Sequence, residues 1–315
     1  MIVAITGATG FIGKLLVNKH VCLGDEVRIL SRKENLHFEN LNYIQIYRGN
    51  LSDKAVLAEF VDKVDVLYHC AAEINDESKM KIVNVEGTKN LIDVSIGKIK
   101  HWVQLSSTGV YGPIQVGIIS ENQPYNPINE YEKTKLKSDL LVLEAGRKNV
   151  FTYTLIRPSN VFGYQMTNQS IFQLVRMIDK GLYFFIGPKG SSANYVAVEN
   201  VVESLYLAAT NPKAKNEIYN VSHWCTMEYF VDNIVKNLEK RHPKIRLSIS
   251  FVKFIAKVTS FIPKNPLTQA RVDALSNRAK YETIKIEKNL GYIPIVTVEE
   301  TVEELVSFYK NNLRG

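Results

Sequence analysis

Tyr131 and Lys135 stand four residues apart in the stretch Tyr131-Glu132-Lys133-Thr134-Lys135, within a helical pattern running from about Asn129 to Lys148. That spacing puts a phenol and an ammonium on one helix face. An ammonium beside a phenol favours phenolate, so the pair is expected to lower the tyrosine pKa and let Tyr131 exchange a proton with a substrate hydroxyl or carbonyl. Spacing alone is a weak signal in a chain with 16 tyrosines, and Tyr281 with Lys285 repeats it where nothing else points to a site. That second pair reads as accidental surface spacing. Tyr131 differs in context, because it follows a strand ending in Ser106, Ser107 and Thr108, three hydroxyls at the carboxyl edge of a sheet. Ligands bind at that edge.

The elements that must position this pair begin at residue 2. An apolar run, Ile2 to Ile5, leads directly into Thr6-Gly7-Ala8-Thr9-Gly10-Phe11-Ile12-Gly13, which specifies strand, glycine turn and helix start together. Gly7 is free to take a backbone conformation closed to residues with a Cβ, Gly10 lets the chain approach a pyrophosphate, and Gly13 permits close packing of a helix that begins near Phe11. An anion there meets unpaired helix N–H groups. Short β-rich runs then alternate with amphipathic segments: Glu26 to Leu30, Ile44 to Arg48, Val66 to Cys70, His101 to Ser106 and Phe151 to Arg157. Right-handed crossovers make this an α/β fold of Rossmann type, a doubly wound parallel sheet. Beyond Pro158 the pattern is mixed, with a helix near Gln169 to Lys180, short strands at Tyr195 to Val198 and Ile218 to Val221, and several further helices. The expected division is a dinucleotide-binding domain over 1–165, which carries the reactive residues, and a mainly substrate-binding lobe over 166–315. One strand of that lobe has room to return to the main sheet.

The second strand ends in Ser31-Arg32-Lys33, roughly 20 residues past the glycines, where an NAD site places an acidic side chain on the ribose hydroxyls. A serine followed by two cations suits a 2′-phosphate instead, since a guanidinium grips it through charge-assisted hydrogen bonds. NADP(H) is therefore expected over NAD(H).

At 315 residues and 45% hydrophobic composition the chain has enough material for a large core. It contains no apolar run near the ~20 residues that cross a bilayer, and it opens on a core strand, so a cytoplasmic protein with no stable membrane insertion is expected. Cys22, Cys70 and Cys225 are far apart, which suits reduced, buried thiols and implies no metal. The net charge of +7 suits an anionic small-molecule substrate. The cluster Lys240, Arg241, Lys244 and Arg246 lacks interleaved aromatics and reads as a solvated helix end, with no nucleic-acid partner implied. Phe251, Phe254, Ile255, Val258 and Phe261 recur near helical spacing with Lys253 and Lys257 between them; the ordinary reading is a core-facing helix, the alternatives an apolar substrate wall or a membrane contact.

Taken together, these residues resemble the extended short-chain dehydrogenase/reductase family, the NAD-dependent epimerase/dehydratase group. Further matches are Gly49-Asn50-Leu51, His69 with Ala71 and Ala72, Asn84 with Gly87, Thr88 and Asn90, Ser106 through Gly112, Arg157 through Gly163, Tyr195 through Asn200, and Leu290-Gly291-Tyr292 with Pro294. The resemblance implies a catalytic hydroxyl at Ser107, with Ser106 and Thr108 as alternatives. It makes Tyr131 the general acid/base and gives Lys135 the nicotinamide ribose. It extends the cofactor site from Gly7, Thr9, Gly10, Phe11, Ile12 and Gly13 to Asn50, Leu51, Ala71, Ala72, Pro158 and Val161. It also implies a homodimer through the Tyr-Lys helix and its neighbour, roughly Ser78 to Ile96.

Two departures narrow the activity. Thr108-Gly109 stands where sugar-nucleotide 4,6-dehydratases place an Asp-Glu pair, which argues against dehydration. Ser191 through Asn194 lacks the arginine that many nucleotide-sugar relatives put near Ala193, although Arg176, Arg271, Arg278 or Lys280 offer charge elsewhere in the lobe. The expected activity is reduction of a keto group in a nucleotide-linked 4-keto-6-deoxy sugar. The alternatives are a nucleotide-sugar epimerase with bound NAD, a reductase of apolar ketones similar to dihydroflavonol and 3β-hydroxysteroid enzymes, and a cofactor-binding regulator.

Overall fold

A computed structural model describes residues 1–32, 43–166, 169–259 and 268–314. Its centre is a seven-stranded sheet in the spatial order 217–221, 152–158, 99–105, 64–69, 2–6, 26–31 and 44–48. Every neighbouring pair runs parallel. The chain builds outward from Ile2–Thr6 on one side, then returns to build outward on the other. The order therefore reverses between Ile2–Thr6 and Val64–His69, where Thr6 pairs with His69. In open α/β sheets a ligand crevice opens at the carboxyl ends of such a pair.

Helices cover both faces, so strand residues pointing to either side are buried. On one face Leu16 and Val17 of helix Phe11–Cys22 and Val201, Leu205 and Ala208 of helix Val198–Thr210 pack against Val3, Ile5, Val27 and Ile29. On the other, Leu57 and Phe60, Leu91, and Val142 and Leu143 pack with Ala4, Leu67, Trp102 and Leu155. The strand Glu217–Val221 pairs with Thr152–Pro158 and so joins the main sheet after the lobe has begun. In the lobe, strands 223–226, 192–197 and 160–162 form a small sheet that shares a second core with helices Ser170–Asp179, Met227–Leu238 and Val298–Asn312.

One cysteine departs from expectation. All three are free, but Cys22 is exposed at the last position of its helix; Cys70 and Cys225 are partly exposed as residues, with thiols that burial raises to about 12. Among the described residues no cluster of His, Cys, Asp or Glu could hold a metal ion, and no helix is long and apolar enough to cross a membrane.

Candidate active site

The glycine turn closes directly on the crevice. Gly7 has φ +69°, and a Cβ there would lie 2.7 Å from the Ala71 nitrogen on the neighbouring strand end. A Cβ on Gly13 would come within 2.2 Å of the Gly7 carbonyl oxygen. Only glycine permits either approach. Gly10 begins helix Phe11–Cys22 with no side chain capping it, so the first-turn N–H groups, at Phe11, Ile12 and Gly13, lack a capping side chain beside exposed Thr9. This cradle fits a pyrophosphate. Ala71 and Ala72 follow the adjoining strand, half-buried, while Pro158 ends the strand 152–158 and Val161 lies in 160–162.

At the other end of the crevice a cleft of about 450 Å³ is lined by Ser31, Arg32, Arg48, Gly49 and Asn50. Among the described residues no carboxylate lines it. Arg48 had no sequence signal of its own; it reaches the cleft because Ser31 and Arg48 are register partners on adjacent strands. Asn50 spends its side-chain oxygen on the Ser52 N–H at 2.7 Å, which holds the local turn and leaves its amide group outward. Leu51 is buried behind it, its carbonyl accepting from the Asn90 amide at 3.0 Å. Lys33 lies outside the described residues, as does Phe261.

The Tyr-Lys helix spans Glu130–Arg147. A capping box fixes its first turn: the Asn129 side chain accepts from the Glu132 N–H at 2.9 Å, and the Glu132 carboxylate accepts in return from Asn129. The Ser107 hydroxyl lies close enough to the Tyr131 phenol to pull its pKa down. Ser107 Oγ accepts from the Gly109 N–H at 3.1 Å, which anchors it at the start of the short 3₁₀ turn Thr108–Tyr111. Its two neighbours are otherwise engaged. Ser106 donates to Asp139 at 2.6 Å and is buried, and buried Thr108 neighbours the Tyr281 phenol. Tyr281 is on a strand and Lys285 on the following helix, where it donates to the Ile218 carbonyl, so that pair shares no helix face.

Electrostatics correct one expectation. Burial pushes the Tyr131 phenol up to about 12, against the opposing pull of the Ser107 hydroxyl. The spacing with Lys135 predicted the reverse. Lys135 is itself buried and donates to the Leu105 carbonyl at 2.6 Å, and burial lowers its pKa while Asp139 works against that shift. Desolvation dominates the phenol, and Asp139 and Glu132 push it the same way. Burial also raises the Cys70 thiol to about 12, so it stays protonated.

A buried polar network ties the glycine turn to this helix. Thr6 donates to His69 Nδ1 (2.7 Å), and His69 Nε2–H donates to Thr88 (3.0 Å), whose own hydroxyl proton goes to the Asn84 carbonyl (2.7 Å). Ser138 then donates to Thr88 (2.8 Å) and accepts from Gln104 (2.9 Å), and the Asn84 amide donates to Thr134 (3.1 Å). His69 is neutral, its pKa lowered by burial to about 3. Behind the helix, fully buried Arg157 donates to Asp139 (3.1 Å), Tyr111 (3.1 Å) and Tyr125 (3.1 Å). Thr134, Lys135, Ser138 and Asp139 are thus all held from one side, leaving Tyr131 half-buried at the crevice.

Of the cations considered for the lobe, Arg176, Arg271 and Arg278 are exposed, and Lys280 lies over the Trp224 ring at 3.4 Å. Ala193 is buried, so no charge stands at that position.

The profile of the NAD dependent epimerase/dehydratase family matches residues 3–222. The chain belongs to that family. It is an NAD(P)-dependent oxidoreductase of the extended short-chain dehydrogenase/reductase type. It is 23% identical to the N-acetyl-alpha-D-glucosaminyl-diphospho-ditrans,octacis-undecaprenol 4-epimerase of Escherichia coli O157:H7, over 97% of this chain and 94% of that protein. It is 26% identical to the mouse (Mus musculus) sterol-4-alpha-carboxylate 3-dehydrogenase, decarboxylating, over 97% and 90%. Its fold matches the UDP-glucuronic acid 4-epimerase of Bacillus cereus, solved with NAD, at a TM-score of 0.78 and 18% identity, covering 100% of both chains.

Proposed function

We propose that this enzyme uses NADP(H) to reduce a ketone in a nucleotide-linked 4-keto-6-deoxy sugar. The observation that carries the reading is the Ser107–Tyr131 hydroxyl pair, with Tyr131 held as a neutral phenol that has a proton to give. The substrate carbonyl oxygen accepts from both hydroxyls. When bound, the dihydronicotinamide supplies a hydride to the carbonyl carbon. As the C–H bond forms, the carbonyl π-pair moves to oxygen and takes the Tyr131 proton, leaving a tyrosinate that the Lys135 ammonium stabilises before solvent returns the proton. Gly7, Gly10 and Gly13 with the first turn of helix Phe11–Cys22 hold the pyrophosphate, and Ser31 and Arg32 hold the 2′-phosphate in a cleft that no carboxylate lines among the described residues. Asn50 and Leu51 bound the adenine side, and Ala71, Ala72, Pro158 and Val161 line the path to the nicotinamide.

Single-turnover NADPH oxidation with a panel of nucleotide-linked 4-keto-6-deoxy sugars tests this, with NADH and Tyr131→Phe as controls. Tyr131-dependent NADPH consumption is expected. Interconversion of a sugar by copurified, non-exchanging NAD would overturn it in favour of an epimerase.

A second reading, a ketone or alcohol on a lipid-borne or apolar substrate, is favoured by the exposed phenylalanines of helix Ile249–Val258 in the lobe and by what the E. coli and mouse relatives are named for. Activity on a membrane-embedded ketone with silence on the sugar panel would select it. A homodimer belongs to either reading. Leu140 and Ile82, exposed on the Tyr-Lys helix and its neighbour, supply apolar surface for it, and light scattering showing a monomer at micromolar concentration would reject it.

A further inference from the structure

We propose that residues 240–258 form a face that docks on an anionic lipid bilayer. Helix Ile249–Val258 is set by Ser248, whose hydroxyl accepts from the Phe251 N–H. It turns Val252 and Ala256 inward against Ile186 and Val272. Val252 and Ala256 thus fill its core side, and the expectation that the phenylalanine stripe itself faces the core does not hold. Three large apolar residues face the other way: Phe251 is 52% exposed, Phe254 64% and Val258 51%. Their spacing of three and then four residues makes one outward stripe. Ile245, just ahead of the helix, is 62% exposed.

The charges select the occupant. Residues 240–258 hold Lys240, Arg241, Lys244, Arg246, Lys253 and Lys257 and not one aspartate or glutamate. Lys240, Arg246 and Lys253 are paired, with Asp179, Glu228 and Asp273. Arg241, Lys244 and Lys257 are exposed and make no ion pair among the described residues. Solvated aromatics beside unneutralised cations, on a short helix already seated on its own core, match the interface of a bilayer, where rings enter the headgroup layer and cations meet anionic lipid. The inference does not depend on which ketone is reduced.

The test is cosedimentation of the full chain with sucrose-loaded vesicles of phosphatidylglycerol and phosphatidylcholine, compared with phosphatidylcholine alone. Binding to the anionic vesicles is expected, weakening as salt rises. A Phe251→Ser/Phe254→Ser variant is expected to bind at least about tenfold more weakly, and Lys244→Gln/Lys257→Gln several-fold more weakly, with NADPH binding and thermal unfolding unchanged. No binding by the unaltered chain overturns the proposal. So does equal binding by the phenylalanine variant, which would mean diffuse electrostatic attraction. A dimer that falls to monomer on Phe251→Ser/Phe254→Ser likewise overturns it, because the face would then belong to a second copy of the chain.

Discussion

Lys135 Nζ donates to the Leu105 carbonyl oxygen at 2.6 Å, which pins a buried ammonium to the last residue of the strand that leads into Ser106 and Ser107. One bond thus sets the distance between the helix that carries Tyr131 and the strand end that carries its hydroxyl partner. Replacing Lys135 with Met should lower turnover by at least about 100-fold and raise the NADPH Michaelis constant. Steady-state kinetics across cofactor concentrations check this, and a fall in turnover with no change for the cofactor would confine Lys135 to tuning the phenol.

With its phenol raised to about 12, Tyr131 stays protonated through the ordinary range. The reductive single-turnover rate should therefore show no Tyr131 ionisation between about pH 6 and 9. Tyr131→Phe should cut that rate by ~10²–10⁴-fold while leaving NADPH binding intact. A rate that climbs or falls tenfold per pH unit near neutrality would show that the phenol titrates there after all.

On the proposed reading, cofactor choice is made at the cleft lined by Ser31, Arg32 and Arg48. A charge-assisted hydrogen bond is worth about 1.5–3 kcal/mol, or roughly 10- to 150-fold in affinity. Arg32→Ala should raise the Michaelis constant for NADPH by about that factor and leave NADH nearly unaffected. Arg48→Ala should act in the same direction if it shares the phosphate. Equal use of the two cofactors by the unaltered enzyme would refute the preference.

His69 links the glycine turn to acid stability. Its pKa falls from 6.5 to about 3 on folding, so below pH 6.5 the unfolded chain binds a proton that the native chain refuses. This stability is fully present above pH 6.5 and drains away as the pH drops toward about 3, at up to ~1.4 kcal/mol per pH unit. His101, lowered to about 4, acts in the same sense. Urea midpoints should be clearly lower at about pH 5 than at about pH 7, and His69→Gln should flatten the difference. Midpoints that do not move with pH would contradict the buried neutral imidazole.

Much of this was legible because it is local. The glycines, the apolar runs and the capped Tyr-Lys helix announce themselves within windows of about ten residues, and strand ends moved only slightly, as from Val66–Cys70 to Val64–His69. What escaped was relational. Arg48 matters only through its register with Ser31, and the fate of Cys22 depends on where its helix stops. The direction of the Tyr131 shift depends on burial, which no spacing within one helix encodes. The outward phenylalanines are the same kind of case, since Phe251 and Phe254 share periodicity with Val252 and Ala256 and only packing separates the two sides.

The strand Glu217–Val221 carries a consequence for anyone who would divide the chain. Because it closes the sheet from beyond the first part of the lobe, the two regions are threaded through one another and not strung in series. A truncation near residue 165 would strip Thr152–Pro158 of its outer partner and expose a row of unpaired backbone groups beside Arg157. Exchange of substrate specificity between relatives is therefore a matter of grafting loops and lobe helices onto an intact thread, since neither half is a module that can be lifted out.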